Sequence, residues 1–139
     1  MIPFINIRSQ HDGFLKEFQK DVQQLFADCD FILGKAVRKF EEEFAQYLGV
    51  KHAIGVASGT DALLLPLHAL GIKAGHEVIL PAFGFIATAD VVVRLGARPV
   101  FVDVDPASCN MDPTKVAAAV TDRTRAIIPV HLYGRPCDM

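Results

Sequence analysis

Apolar residues recur at helical spacing in two segments near the start of the chain, over 11–29 and over 35–48. Gly34 separates the two segments, and Gly49 is a suitable residue to end the second. Glu41, Glu42 and Glu43 lie mostly outside the second apolar stripe and indicate a solvated face. We predict an extended lead over 1–10 and two amphipathic helices, which together form a first domain over 1–50.

From residue 51 onward, short apolar runs alternate with helical segments. The helices begin at Ser58, at Phe85 and at Asp112-Pro113, where Asp suits the cap and Pro the first turn. Nearly continuous apolar strands joined by helices are typical of a parallel sheet covered on both faces. We predict an α/β fold, in which part of a mostly parallel sheet occupies a second domain over 51–139. The four predicted strands are 52–57, 77–80, 99–104 and 125–132.

Two local features depart from the regular pattern of strands and helices. Pro66 lies inside the first helix of the second domain, where its missing N–H predicts a bend or a loosened turn. After the last predicted strand, Asp138 resembles the cap of a helix that does not follow. We therefore expect the chain to be part of a longer α/β protein.

Composition narrows the class of protein. The chain has 139 residues, with 14 Lys and Arg against 16 Asp and Glu, and the formal net charge of −2 argues against a nucleic-acid surface. A hydrophobic content of 51% excludes disorder for most of the chain. The three cysteines are widely spaced and predict neither a zinc site nor a disulfide scaffold. No secretory signal or membrane-length apolar run is present in the sequence, so we expect a cytoplasmic protein.

Ligands of open parallel sheets bind at the carboxyl ends of the strands. This places Ser58-Gly59-Thr60 at that edge, where a helix begins and its free N–H groups suit a phosphate. The alternative is an ordinary Ser-capped helix. Neither a Walker loop nor a dinucleotide fingerprint occurs in the sequence.

Further residues follow the other strands at the same edge. Phe85 could stack on a planar ring, or it could be a core aromatic under the next helix. The His131 side chain could face a ligand, or it could be hydrogen-bonded to the backbone. A role in forming turns is sufficient to explain the presence of Asp103 and Asp105 after the third strand. No lysine is naturally placed at the carboxyl edge, so we expect no Schiff-base lysine and no catalytic residue in this chain.

Several strings of residues in the chain resemble those of the DegT-type sugar-nucleotide aminotransferases. They occur in family order along essentially the whole chain, which makes the combination specific although each string alone is weak. The strings are FILG (31–34), GVKHAIGVASGTDAL (49–63), GHEVILPAFGFIATA (75–89), GARPVFVDVDP (96–106) and AIIPVHLYG (126–134).

The resemblance implies a fold-type I enzyme dependent on pyridoxal 5'-phosphate and active as a homodimer. Such enzymes transfer an amino group from an amino acid, usually glutamate, to a keto sugar linked to a nucleotide. By this resemblance Gly59 and Thr60 match the phosphate cup, with Ser58 beside it. Phe85 matches the aromatic residue that stacks on the cofactor, and His131 matches a strand-end residue near the active site.

The chain also departs from the family pattern. Phe83-Gly84 replaces the common Asn-Thr pair before the stacking aromatic. The family's Schiff-base Lys and pyridinium-binding Asp come further along than residue 139, so we expect this chain alone to be inactive. Two alternatives stay open: a sugar dehydratase of the same family, in which the lysine is replaced, and a non-catalytic assembly or regulatory module.

Overall fold

The computed structural model describes Phe4 and residues 6–139, which divide into a unit that ends at Gly55 and a unit over Val56–Met139. In the first unit, α1 (Arg8–His11) begins within the segment predicted as an extended lead. That prediction is wrong from Arg8 onward, because local bonds favour a turn. The Ser9 hydroxyl, for example, donates to the Asn6 carbonyl at 3.0 Å. Residues 1–3 and 5 of the lead lie outside the described residues.

The two predicted amphipathic helices are confirmed as α2 (Leu15–Asp28) and α3 (Lys35–Leu48). Both end in a left-handed residue, Cys29 after α2 and Gly49 after α3. The Asp30 carboxylate accepts the Lys35 N–H at 2.7 Å and so satisfies one of the free donors at the start of α3. Within the described residues, no helix has the length and apolar character needed to cross a bilayer.

The second unit contains three strands rather than the predicted four. β1 (Glu77–Pro81) lies in the centre and pairs in parallel with β2 (Arg98–Val102) and with β3 (Thr124–Ile127). The strand predicted over 52–57 is absent: its backbone joins no ladder with the described residues, and Ile54 is 80% exposed. An apolar run gives a preference for extended backbone, but a strand requires a hydrogen-bonded neighbour.

The last predicted strand is shorter than its apolar run. The ladder of β3 ends one bond beyond Ile127, where the Ile128 N–H donates to the Ile79 carbonyl at 2.8 Å. The next bond would run from residue 81 of β1 to the Ile128 carbonyl, but residue 81 is a proline and has no N–H to donate. His131 and Tyr133 therefore lie beyond the strand, and residues Leu132–Gly134 form a 3₁₀ turn.

Both faces of the sheet are covered by helices, as predicted. The side chains of β1 alternate: Val78 and Leu80 pack in one core and Ile79 in the other, and all three are buried. The first core contains side chains from α4 (Gly59–Ala69) and α5 (Ile86–Arg94). The second contains Met111 and side chains from α6 (Pro113–Ala119).

The directions of α4 and α5 determine what lies at each edge of the sheet. Residues 70–76 lead from the end of α4 to the start of β1, and Gly96 lies two residues beyond the end of α5 at Arg94. A Cβ at Gly96 would lie 3.7 Å from the Ala74 Cβ, so the two helices end together at the amino edge. Because α4 and α5 pack side by side, both begin at the carboxyl edge. α4 continues through Pro66 to Ala69, so the proline does not interrupt the helix.

Glu77 is a buried carboxylate at the amino edge of the central strand. It accepts the Thr121 hydroxyl at 2.6 Å and pairs with Arg123 at 2.7 Å and Arg98 at 3.5 Å. The Thr121 hydrogen bond and the two guanidinium charges lower the pKa of Glu77, although burial acts in the opposite direction. The ionised carboxylate therefore joins the start of β1 to both neighbouring strands.

Glu77→Gln should reduce both the stability of the fold and its sensitivity to acid. A carboxyl whose pKa is lower in the folded state stabilises the protein above its unfolded pKa, and this contribution is lost as the pH falls through and below about 4.5. We expect the free energy of unfolding, measured by urea denaturation from about pH 6 to pH 3, to fall less steeply in the variant. Asp90→Asn, which removes an exposed pair with Arg94, is the control. A slope equal to the wild-type slope would contradict this role.

Candidate functional site at the carboxyl edge

The first turn of α4 combines a cap with two free donors. Ser58 is the N-cap: its Oγ accepts the Asp61 N–H at 3.1 Å, and its hydroxyl donates to Asp61 Oδ2 at 2.9 Å. The Ser58 hydroxyl is therefore already hydrogen-bonded within α4, as the alternative of an ordinary Ser-capped helix predicts. The N–H groups of Gly59 and Thr60 have no acceptor among the described residues. These two donors lie at the positive end of the helix and are suited to an anion.

Gly59 leaves open space where a side chain would stand at the start of α4. A Cβ built at Gly59 would meet no heavy atom within 4 Å, and the residue is exposed. The protein therefore does not require glycine here for its own packing. A phosphate group that approached the N–H groups of Gly59 and Thr60 would meet no side chain at position 59.

Phe85 presents its ring to solvent just beyond β1. It is the N-cap residue of α5, and its carbonyl accepts the N–H and the hydroxyl of Thr88 at 3.1 and 2.8 Å. The side chain is 64% exposed, which excludes the alternative of a core aromatic under α5. Phe83 is exposed as well, so the loop between β1 and α5 offers two apolar rings.

One nitrogen of the His131 ring is hydrogen-bonded to the backbone. Its Nδ1 accepts the Cys137 N–H at 3.0 Å, which assigns the proton of the neutral imidazole to Nε2. The expectation that His131 ends a strand is wrong, since β3 ends at Ile127. The intervening turn holds Tyr133 in the left-handed region, at φ 54°, with an exposed side chain.

Contacts between loops bring the surroundings of Phe85 and His131 together. A Cβ at Gly84 would lie 3.4 Å from both Pro81 Cγ and Val130 Cγ2, so the loop after β1 touches the segment after β3. Asn110, only 4% exposed, reaches from the loop after β2 and donates through Nδ2 to the Arg135 and Pro136 carbonyls at 3.1 and 2.8 Å. Sequence spacing does not indicate Asn110, because its partners are 25 and 26 residues away.

The acidic residues of this edge serve turns and caps. Asp105 accepts the N–H groups of Ser108 and Ala107 at 2.8 and 3.1 Å, and the bonds from Ser108 are the main cause of its lowered pKa. The carboxylate of Asp112 caps α6 by accepting the hydroxyl and N–H of Thr114 at 2.7 and 2.9 Å. The hydroxyl bond is the main cause of the lowered pKa of Asp112.

One lysine lies at the carboxyl edge, contrary to the sequence-based expectation. The Lys115 Nζ is 3.4 Å from Asp103 Oδ2, and Asp103 directly follows β2. The expectation fails because β2 leads into α6 at this edge, so the first turn of α6 remains there. The same amine lies 4.0 Å from Asp112 Oδ2, so both of its carboxylate neighbours belong to this edge.

Residues 14–139 match the model of the DegT/DnrJ/EryC1/StrS aminotransferase family. The chain belongs to this family. The resemblance noted from the sequence is thereby confirmed, and the match includes the whole of the second unit.

Two curated relatives match nearly the full chain. A "UDP-N-acetyl-3-dehydro-alpha-D-glucosamine 3-aminotranferase" from Acidithiobacillus ferrooxidans is 49% identical over 138 residues, which are 99% of this chain and 37% of the relative. A "Pleiotropic regulatory protein" from Geobacillus stearothermophilus is 45% identical, with the same coverage of 99% and 37%. The chain thus spans a little over a third of the length of these relatives.

Solved structures confirm the fold. DesV of S. venezuelae, solved with a ketimine intermediate, has a TM-score of 0.94 and 40% identity over 99% of this chain and 37% of its own. The PLP form of a sugar aminotransferase from Streptococcus pneumoniae has a TM-score of 0.83 and 32% identity, over 86% of this chain and 30% of its own. The three-stranded parallel sheet with its helices is therefore part of a fold-type I aminotransferase architecture.

Ser58→Ala should destabilise the second unit modestly. The substitution removes the acceptor for the Asp61 N–H and leaves that donor without its cap, at a cost of about 1 kcal/mol in the free energy of unfolding. Ser58→Gly should cost only a few tenths of a kcal/mol, because glycine is itself a tolerated N-cap. Urea denaturation of the three proteins measures both effects. Equal stability of Ser58→Ala and the wild type would show that the cap contributes nothing.

Proposed function

We propose that this chain forms the cofactor-binding part of a pyridoxal phosphate-dependent aminotransferase. The reaction transfers an amino group from an amino acid, glutamate by the family resemblance, to a keto sugar linked to a nucleotide. The names of the family and of the A. ferrooxidans relative support this class of reaction. The observation that carries the proposal is the start of α4, where two free N–H groups face open space at the carboxyl edge.

The residues at this edge fit pyridoxal 5'-phosphate. In the proposal the phosphate accepts the N–H groups of Gly59 and Thr60 and the Thr60 hydroxyl, with Ser58 beside them as the cap. Phe85 supports one face of the pyridine ring, which its exposed side chain allows. His131 borders the site from the loop after β3. The PLP form of the S. pneumoniae structure supports the same cofactor.

The cofactor, when bound, supplies the electron sink on which transamination depends. The residues of this chain anchor the phosphate through backbone N–H groups, orient the ring through Phe85 and exclude water from its covered face. The resemblance assigns the Schiff-base lysine and the pyridinium-binding aspartate to positions beyond residue 139. We therefore propose that the chain by itself binds the cofactor but does not complete a turnover.

Two other functions remain as alternatives. A sugar dehydratase of the same family would use the same phosphate cup, and the residue at the lysine position would distinguish the two enzymes. A non-catalytic regulatory role is favoured by one observation, the name of the G. stearothermophilus relative. Retained cofactor binding would favour the enzyme classes, because a regulatory module has no need of a phosphate cup.

We also propose a cytoplasmic homodimer, and we expect the isolated chain to self-associate. Large apolar side chains are exposed on the helices of the first unit, among them Phe18 in α2 and Phe40 and Phe44 in α3. Exposed apolar surface of this kind marks interfaces. Light scattering after size exclusion at micromolar concentration should give a mass above 15.2 kDa. A single sharp peak at the monomer mass would contradict the proposal.

Pyridoxamine phosphate provides the direct test of the phosphate cup. It carries the phosphate and the ring but no aldehyde, so its affinity reports the anchoring residues and no reaction with lysine. Thr60→Ala combined with Gly59→Val removes one hydroxyl and places a side chain in front of the two N–H groups. Loss of one charge-assisted hydrogen bond costs roughly 1.5–3 kcal/mol, so we expect the dissociation constant from equilibrium dialysis to rise about tenfold or more.

The matched control for this experiment lies at the start of α6. Thr114→Ala removes a hydroxyl that donates to Asp112 within that cap, and it should leave the dissociation constant unchanged. A double variant at 59 and 60 that binds as tightly as the wild type would refute the phosphate cup. The open space at position 59 makes a folding defect an implausible cause of weakened binding, and circular dichroism checks it directly.

A further inference from the structure

We propose that His131 is a positioning residue for the Phe85 platform, which it reaches through Cys137 and Val130. The inference rests on the proposed function, because Phe85 is a platform only if a planar cofactor binds there. It gives His131 a role distinct from a direct contact with the cofactor. Three contacts in the structure connect the two residues.

The first contact is the hydrogen bond from the Cys137 N–H to His131 Nδ1 at 3.0 Å. It closes the segment 131–137 into a loop and occupies the only acceptor of the neutral imidazole. Nδ1 is therefore not available to a ligand, and Nε2–H remains as a donor. The loop contains Tyr133 and Gly134 in the left-handed region, and such backbone persists where surrounding contacts determine it.

The second contact fixes the other end of that loop. The Cys137 thiol donates to the Val130 carbonyl at 3.2 Å. Cys137 is therefore bonded both to His131 and to Val130, the residue that precedes His131. Asn110 adds two bonds from a buried position, to the carbonyls of Arg135 and Pro136. The bonds of Cys137 close the segment 130–137 on itself, and those of Asn110 attach it to the loop after β2.

The third contact passes from Val130 to the loop that carries Phe85. The Val130 Cγ2 lies 3.4 Å from the place that a Cβ at Gly84 would occupy, and Pro81 lies equally close. Gly84 precedes Phe85 and has no side chain, so its backbone lies beside Val130 with no Cβ between them. A shift of Val130 toward this loop would displace the backbone next to the exposed ring of Phe85.

Paired substitutions at position 131 separate positioning from direct contact. The Oδ1 of Asn can take the place of Nδ1 and accept the Cys137 N–H, whereas the longer Gln side chain places its polar atoms near Nε2. We expect His131→Gln to weaken pyridoxamine phosphate binding three- to tenfold and His131→Asn to retain it within about twofold. Amide hydrogen exchange of the 130–137 segment should rise in the Gln variant and stay protected in the Asn variant.

Coupling to Phe85 tests the path of the effect. If His131 acts through the platform, Phe85→Leu combined with His131→Gln should bind no more weakly than Phe85→Leu alone. Cys137→Ala breaks another contact of the same path and should show the same coupling, with Cys137→Ser as the conservative control that keeps a donor. Additive losses, or equal losses in the Asn and Gln variants, would overturn the positioning role.

The failure of this inference is distinguishable from failure of the proposed function. If wild-type protein does not bind pyridoxamine phosphate, or the double variant at 59 and 60 leaves its affinity unchanged, the proposed function fails. If the phosphate cup responds as expected but position 131 shows no coupling to Phe85, only the positioning role is wrong. Hydrogen exchange of the 130–137 segment remains a test in both cases, since unchanged protection in His131→Gln contradicts the first contact.

Discussion

The burial of β1 between two layers of helices is the constraint on which the rest of the second unit depends. Val78, Ile79 and Leu80 alternate between two cores, and each is fully buried. Full burial of such side chains is worth about 1.5–3 kcal/mol each. Because β1 is bonded on both sides to parallel neighbours, its carboxyl end is aligned with the loops that follow β2 and β3.

The candidate site results from this alignment and from the direction of two helices. α4 and α5 both end at the amino edge, so their first residues lie at the carboxyl edge with the strand ends. The loops after the three strands are then joined by a few specific contacts, chiefly those of Asn110 and Val130. In the function that we propose, this edge presents backbone N–H groups and an aromatic face to one ligand.

Sequence reasoning predicted the parts of the structure that local patterns determine. The amphipathic stripes located α2 and α3, and Ser58 and Asp112 marked the starts of α4 and α6 through their capping chemistry. The exposed position of Phe85 agrees with the resemblance to the family and not with a core role, which residue type alone would favour. These features depend on residues that are close together in the chain.

The extended lead failed through the local bond of Ser9 to Asn6, but the other failed expectations depend on contacts that the pattern of the sequence does not specify. A strand over 52–57 needs a partner that the apolar run does not specify, and β3 stops early because Pro81 of β1 cannot donate to the Ile128 carbonyl. The position of Lys115 follows from the direction of α6, and the bond of His131 follows from the fold of its loop. Neither can be read from spacing, since contacts across loops become visible only when the chain is folded.

A crystal structure of the chain with pyridoxamine phosphate would test the central claim most directly. We expect the phosphate to lie within hydrogen-bonding distance of the Gly59 and Thr60 N–H groups, with the pyridine ring against Phe85. Density for the phosphate at any other place in the second unit, with the N–H groups of Gly59 and Thr60 bound only to water, would contradict it.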